Sequence, residues 1–431
     1  MCHYSLKARF VFPVDRAPIA EGGLSVEGHH IAQVTRETTS AAWDLGNVAI
    51  LPALVNAHTH LEFSHLPQPL GNPGMCFSDW IRAVLANRQE ATSPEQAGRL
   101  SGPSPIAQGL TESLQTGSVT LGEIANTSWN KKDFEQACPT GTIFFELIGL
   151  SETRIQELIS TVLELIASAE QATTSWQIGF SPHAPYTAAA SLIAQVAKLA
   201  AIHKFSLAMH LAETRAEIDF LREGRGPLRE LLEERGIWNS TCFQRPLRAL
   251  DYLKILAEAP RALIVHGNYL DQEELQFLAE HSQGMTLVYC PRTHAYFGHS
   301  AYPLLQALQS GVHVALGTDS KASNPDLNLL TDMRFVREQH PAVTGAQILR
   351  MGTLHGAQAL SAAERVGSLS VGKRASWIAV ELPERTDADP HDLVLQSKLP
   401  VSLVVVDGKP VYAQGKMSAF LQKWRAQAGT E

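Results

Sequence analysis

His58 and His60 stand one residue apart at the end of the apolar run Leu51-Pro-Ala-Leu-Val-Asn-Ala57. A run of that length reads as a buried strand, and alternation along a strand puts residues i and i+2 on one face. The two imidazoles therefore project together, as metal ligands must. Two imidazoles do not hold a catalytic metal alone, so further ligands and a proton carrier have to come from elsewhere in the chain. The candidates are His183 in Ser181-Pro-His-Ala-Pro-Tyr186, His210 and Glu213 in Ala208-Met-His-Leu-Ala-Glu213, His266 in Leu263-Ile-Val-His-Gly-Asn268 and Asp319 in Ala315-Leu-Gly-Thr-Asp-Ser320. Neutral imidazole and carboxylate suit Zn²⁺ or Fe²⁺. Such an ion lowers the pKa of bound water from ~16 toward ~7, which supplies a nucleophile at neutral pH. The carboxylates Glu213 and Asp319 are of the residue types that can carry protons as general acid or base.

Taken singly, each residue also has a structural explanation. A histidine after a strand is commonly a hydrogen-bonded rim residue, Asp319 could cap the following helix, and Glu213 is an acid in a first helical turn. Their common place at the ends of successive apolar runs is what sets them apart.

The elements that must position them alternate. Strands are expected at 51–57, 117–124, 142–149, 176–182, 206–211, 262–266, 285–289 and 312–317. Helices are expected at 78–90, 153–170, 188–203, 214–223, 271–281, 301–310 and 344–360. Eight strands alternating with helices predict an α/β fold, a (β/α)8 TIM-type barrel over 51–364, whose active site lies at the C-terminal ends of the strands. Residues 224–260 exceed an ordinary crossover and are expected to form a lid or rim. The two ends of the chain, 1–50 and 365–431, carry short β-prone pieces punctuated by turns, including Asp407-Gly408 between Leu403-Val-Val-Val406 and Pro410-Val-Tyr412. Together they are expected to form one small β-sandwich domain.

The 431 residues, 45% hydrophobic and 18% charged, suit a large globular core. A net charge of −8 offers no basic face to nucleic acid or to a membrane surface, and no apolar run approaches the ~18 residues of a membrane span. Five dispersed cysteines (Cys2, Cys76, Cys138, Cys242, Cys290) and the absence of a signal-peptide pattern fit reduced thiols and a cytoplasmic location. The triplets at Asn126 and Asn239 match the glycosylation pattern but carry no weight without a secretory signal. Gly367-Ser-Leu-Ser-Val-Gly-Lys373 mimics a phosphate loop, but Arg374 stands where Ser or Thr would hold magnesium, so it reads as a turn.

The ordered set His-x-His, Pro-His-Ala-Pro-Tyr, His-x-x-Glu, Val-His-Gly and Gly-Thr-Asp-Ser, between the halves of a split β domain, resembles the amidohydrolase superfamily in its cytosine-deaminase-like and chlorohydrolase-like branch. That resemblance implies one divalent ion, zinc by preference, held by His58, His60, His210 and Asp319. It implies that His266 contacts the water, Glu213 shuttles protons and His183 faces the substrate. It also implies a homodimer acting on a small heterocyclic substrate. The string His58-Thr-His-Leu-Glu-Phe-Ser64, followed by Phe77-Ser-Asp-Trp-Ile81, resembles the aminodeoxyfutalosine deaminases of the alternative menaquinone pathway. These remove the 6-amino group of an adenine-bearing nucleoside. On that reading Glu62 is a candidate substrate contact. One segment departs from the branch: where Cys-Pro-x-Ser-Asn is usual, this chain has Cys290-Pro-Arg-Thr-His294, which makes His294 another candidate contact. The other readings are a deaminase of S-adenosylhomocysteine, methylthioadenosine or guanine, a chlorohydrolase-like enzyme, and a catalytically inactive scaffold.

Overall fold

The computed structural model describes residues 3–36, 42–91, 103–126, 131–135, 138–169, 176–244, 246–386 and 388–428. Cys2 and two members of the Asn126 triplet, Thr127 and Ser128, lie outside them. Among the described residues no helix is long and apolar enough to cross a membrane.

The strands, in chain order, are β1 His3–Val11, β2 Ile19–Glu27, β3 His30–Thr35, β4 Trp43–Asp44, β5 Val48–Pro52, β6 Leu54–Thr59, β7 Ser118–Ala125, β8 Thr140–Leu147, β9 Trp176–Pro182, β10 Ser206–Leu211, β11 Ala262–His266, β12 Met285–Tyr289, β13 Val314–Leu316, β14 Trp377–Glu381, β15 Val401–Val406 and β16 Lys409–Ala413. Strands β6 to β13 pair in sequence order, all parallel, as the expected eight-stranded barrel. Helices cover its outer face, so most of these strands are buried on both sides and read as continuous apolar runs. A bridge between Thr59 and Asp319 closes the ring, with Asp319 N donating to His58 O at 3.0 Å. Asn56 secures this seam. Its amide nitrogen donates to Thr318 Oγ1 at 2.7 Å, and its Oδ1 accepts from Thr318 N at 3.0 Å. Gly317 permits the approach, since a Cβ there would lie 2.8 Å from His58 Cβ.

The remaining strands form a mixed sheet in the order β16-β15-β14-β5-β1-β2-β3, with β4 on β1. Bonds from Ile31 N to Lys373 O (2.9 Å) and from Ala375 N to His29 O (2.8 Å) draw its β3 edge toward the segment leading into β14. The sheet thus curls round a core of Leu6, Leu24, Val26, Ile50, Trp377, Leu403 and Val405. The expected phosphate-loop mimic lies in the turn that enters β14.

The run 51–57 is not one strand. Leu51 and Pro52 end β5, paired with Ile378 and Trp377 of the mixed sheet, and the barrel strand begins only at Leu54. Both sheets bury this run completely, so its apolar pattern carries no mark of the change. The expected helix 344–360 divides into Gly345–Met351 and Leu354–Ala359, because Thr353 leaves the helical conformation. Residues 224–260 fold as helices Pro227–Glu234 and Ala249–Leu256, joined through a short 3-10 turn at Ser240–Phe243.

Arg292, in the short helix Pro291–Tyr296 after β12, ties that helix to the first turn of the helix Leu329–Gln339 and to the loop before it. Its guanidinium bonds Asp326 at 2.6 Å and the fully buried Asp332 at 2.7 Å. Removing one partner of a buried pair strands the other charge, which costs about 3–5 kcal/mol. Arg292→Ala is therefore expected to lower the free energy of unfolding by about that amount. Denaturant titration checks this, and a change under about 1 kcal/mol, the worth of an exposed pair, would show that the network is not stabilising.

Candidate active site

Six of the residues singled out in the sequence converge at the C-terminal ends of the barrel strands. His58 comes from β6, His60 follows it, His210 comes from β10, His266 ends β11, Glu213 follows β10 and Asp319 follows β13. Ring nitrogens of His58, His60 and His210 lie within 4.8 Å of one another. His60 Nε2 faces His210 Nε2 at 3.3 Å. Asp319 Oδ1 is 3.6 Å from His58 Nε2 and 3.7 Å from His60 Nε2.

The donor atoms are held in place from behind. His210 Nδ1 meets the carbonyl oxygen of His183 at 2.9 Å. A carbonyl only accepts, so Nδ1 carries the proton and Nε2 is left as a lone-pair donor. Ser323 Oγ donates to Asp319 Oδ2 at 3.1 Å and exchanges a bond with Thr293 Oγ1 at 3.0 Å. Glu123, buried in β7, accepts from Thr59 Oγ1 at 2.6 Å and from Leu61 N at 2.9 Å, which fixes the backbone on either side of His60. Asp319 (φ 58°), His266 (φ 69°) and Ala212 (φ 53°) all adopt the left-handed backbone region, although none is glycine. Such strain persists where surrounding contacts enforce it, and it gathers at functional sites.

Electrostatics separate the groups by task. Burial and neighbouring imidazoles push the pKa of His60 and His210 well down, so both rings are neutral donors. Burial opposes ionisation of Asp319, yet His58, His266 and His60 together hold its carboxyl well below the usual range. Burial, with the charges of Asp319 and Glu217, pushes Glu213 well above its usual range, so that it can hold a proton at neutral pH. Its Oε1 lies 3.4 Å from His266 Nε2.

The chemistry of this set fits a divalent cation. Both ring nitrogens of His58 are buried without a hydrogen-bond partner, a costly state for an imidazole unless a cation takes the lone pair. Three imidazoles whose ring nitrogens lie within 4.8 Å of one another, with the Asp319 carboxylate 3.6 Å from His58 and 3.7 Å from His60, are the donors a catalytic zinc-type ion takes.

His60, His183, His210, Glu213, His266 and Asp319 all line one cavity of about 310 Å³. Its other wall is apolar, from Phe77, Trp80, Ile81 and Val84 on the helix Phe77–Ala91 and from Leu231, Leu232 and Ile237 of the 224–260 segment. That segment thus forms the rim expected of it. Trp80 is a cavity wall, held by its Nε1 bond to Ala322 O at 3.0 Å. His183 borders the cavity with its Nδ1 on Thr187 Oγ1 at 2.6 Å and its Nε2 3.9 Å from Glu146, and burial pushes its pKa down to about 3.

Two candidates fall elsewhere. Glu62 lines a second cavity of about 1010 Å³, which shares Arg88, Glu146, Ile148, Thr187 and Ile237 with the first. There it pairs with Arg88 at 2.6 Å and accepts from Asn126. His294 lines neither cavity. The segment after Cys290 is a short helix, Pro291–Tyr296, which turns Thr293 toward Ser323 and His294 away, edge-on to Tyr302. Arg82 lies on the surface, paired with Glu234 at 2.7 Å.

The sequence model of the amidohydrolase family matches residues 49–411. The chain belongs to the amidohydrolase family. It is an enzyme, a hydrolase of carbon–nitrogen bonds. A 5-methylthioadenosine/S-adenosylhomocysteine deaminase of Moorella thermoacetica is 28% identical over 393 residues, 88% of this chain and 85% of that protein. The structure of Helicobacter pylori aminofutalosine deaminase with methylthio-coformycin superposes on this amidohydrolase with a TM-score of 0.80 at 22% identity, covering 95% of this chain and all of the other. An adenosine deaminase of Xanthomonas campestris with bound zinc gives 0.73 at 22% identity, covering 100% and 99%. The amidohydrolase fold accounts for the split mixed sheet as well as the barrel.

Proposed function

We propose that this amidohydrolase is a metal-dependent deaminase of adenine-type nucleosides, with aminodeoxyfutalosine as its substrate and zinc as its metal. The observation that carries the reading is a proton-holding Glu213 beside His266, lining with the imidazole–carboxylate cluster one cavity of about 310 Å³ whose other wall is apolar. His58, His60, His210 and Asp319 would hold the ion. When bound, a divalent ion there supplies Lewis acidity that brings the ionisation of water within reach of neutral pH. The apolar wall of Phe77, Trp80, Val84 and Leu231 accepts the ring face and excludes bulk water. Glu213, protonated at the start, gives its proton to the adjacent ring nitrogen, takes one from the attacking water and passes it to the departing amine, and recovers the last proton from the new hydroxyl as the C–N bond breaks, so that water oxygen replaces nitrogen on the ring carbon and ammonia leaves. His266, 3.4 Å from Glu213, is placed to hydrogen-bond the same water.

The second cavity favours a bulky 5′ substituent. It adjoins the ring slot and offers Arg88, Asn126, Arg154 and Asn239 beside Trp238, room that adenosine alone would leave vacant. The relatives acting on methylthioadenosine and S-adenosylhomocysteine favour a second reading, the same chemistry on those nucleosides. Ammonia release from aminodeoxyfutalosine, methylthioadenosine, S-adenosylhomocysteine, adenosine and guanine decides between them. We expect kcat/KM for aminodeoxyfutalosine to exceed each of the others by at least about tenfold, the scale of discrimination that pocket contacts supply. Preference for methylthioadenosine or S-adenosylhomocysteine would establish the second reading, and turnover of guanine alone would overturn both.

A further inference from the structure

Glu217 is 1% exposed and, among the described residues, pairs with no lysine or arginine. A buried acid without a cation is costly unless its oxygens are otherwise satisfied. It lies three residues after Thr214, the N-cap of the helix Arg215–Glu223, whose Oγ1 accepts from Glu217 N at 3.1 Å. A reciprocal cap would bring the acid back to the cap residue. Its oxygens instead reach beyond the helix, where Oε1 accepts from Ala212 N at 2.8 Å and Oε2 from Glu213 N at 2.9 Å.

These two amides belong to the turn by which the chain leaves β10. Ala212 sits there at φ 53°, a conformation disfavoured for a residue with a Cβ. The opposite side of the turn is also held. Asn268 Nδ2 donates to Glu213 O at 2.8 Å, and Tyr269 N donates to Ala212 O at 3.0 Å. Every polar backbone atom of Ala212 and Glu213 therefore has a fixed partner, and the strained turn sets the Glu213 side chain beside His266 at the end of the neighbouring strand β11. Two successive amides need two acceptors in one side chain. Glutamine of the same length accepts on one oxygen and presents N–H against the other amide.

We infer that Glu217 is a positioning residue, which keeps the Glu213 carboxyl in register with His266 by clamping the two amides on which it stands. The inference rests on Glu213 being the proton carrier. It is tested in the full-length, metal-loaded enzyme by ammonia release from aminodeoxyfutalosine or methylthioadenosine, whichever is faster. Glu217→Gln is expected to keep its metal and its KM within about twofold while kcat falls about 10–100-fold, the usual effect of removing a partner that orients a reacting group. Because Glu217 acts through Glu213, the double variant Glu213→Gln/Glu217→Gln should be no slower than Glu213→Gln alone. A merely structural defect would multiply the two losses, shift KM or lose metal, and any of these overturns the inference. So does an unchanged kcat in Glu217→Gln. If Glu217→Gln does not fold, Asn268→Ser frees the same turn from its other side and must show the same loss confined to kcat and absent on the Glu213→Gln background; a folded Asn268→Ser enzyme with normal kcat overturns the clamp. A silent Glu217→Gln where Glu213→Gln is inactive refutes the clamp alone. Near-normal turnover by Glu213→Gln refutes the proton-carrier reading and the clamp with it.

Discussion

Replacing His210 by alanine is expected to remove metal and activity together. The side chain contributes one of three ring nitrogens lying within 4.8 Å of one another. Its Nε2 is committed to that cluster, because Nδ1 is spent on the carbonyl of His183. Without it His58, His60 and Asp319 remain, three donors of a set built for four; three protein ligands can hold a catalytic zinc, but here one metal–nitrogen bond is lost and no other side chain of the cluster replaces it. The backbone does not depend on the ring: β10 keeps its pairing to β9 and β11, and His210 N keeps its bond to His183 O at 3.0 Å. The variant should therefore fold and melt as one domain pair while metal analysis shows no stoichiometric ion. Lewis-acid assistance is worth several kcal/mol of transition-state stabilisation, so ammonia release should fall by about 10³-fold or more. Stoichiometric metal with normal turnover in His210→Ala would show that the ion is held elsewhere.

Much of this site was legible because a parallel barrel writes it out plainly. Each strand is an apolar run ending in the polar group it presents, so His58, His183, His210, His266 and Asp319 all fall at ends of runs. What could not be read is what depends on direction after the strand has ended. Cys290-Pro-Arg-Thr-His294 continues as a helix rather than a loop, which sends Thr293 toward Ser323 and the site and His294 into the packing behind it. Glu62 follows His60 by only two residues, but a 3-10 turn over Leu61–Phe63 carries it into the neighbouring cavity, against Arg88. The handover at Ala53 between two sheets left no trace, since both bury their residues fully. Glu217 was hidden by a local pattern: Thr214-x-x-Glu217 satisfies the rule for a helix cap, and nothing in the sequence says that the acid serves the turn before the helix. Glu123, an acid inside the apolar run Leu121-Gly-Glu-Ile-Ala125, finds its partners on another segment, Thr59 at the end of β6 and Leu61 just past it, which the sequence alone does not bring together.

Glu213→Gln should separate binding from chemistry. The substitution keeps the length and shape of the side chain, and the backbone bonds from Glu213 N to Glu217 and from Asn268 to Glu213 O do not involve it. The carboxyl is not one of the clustered ring donors, so metal content should stay stoichiometric. An amide, however, neither takes up nor releases a proton near neutral pH, and the burial that lets Glu213 hold one is then without use. Positioned proton transfer contributes about 10²–10⁴-fold, and kcat should fall by that factor while KM moves little, because the apolar slot that receives the ring is intact. Single-turnover measurement with metal analysis on the same sample reads both quantities at once. Retained turnover would leave His266 as the carrier, and its backbone at φ 69° beside Glu213 would then need explaining as the device that aims an imidazole rather than a carboxyl. Loss of metal together with turnover would instead make Glu213 part of the ion's coordination, and the reach of its Oε1 toward His266 at 3.4 Å would belong to holding the cation and not to moving a proton.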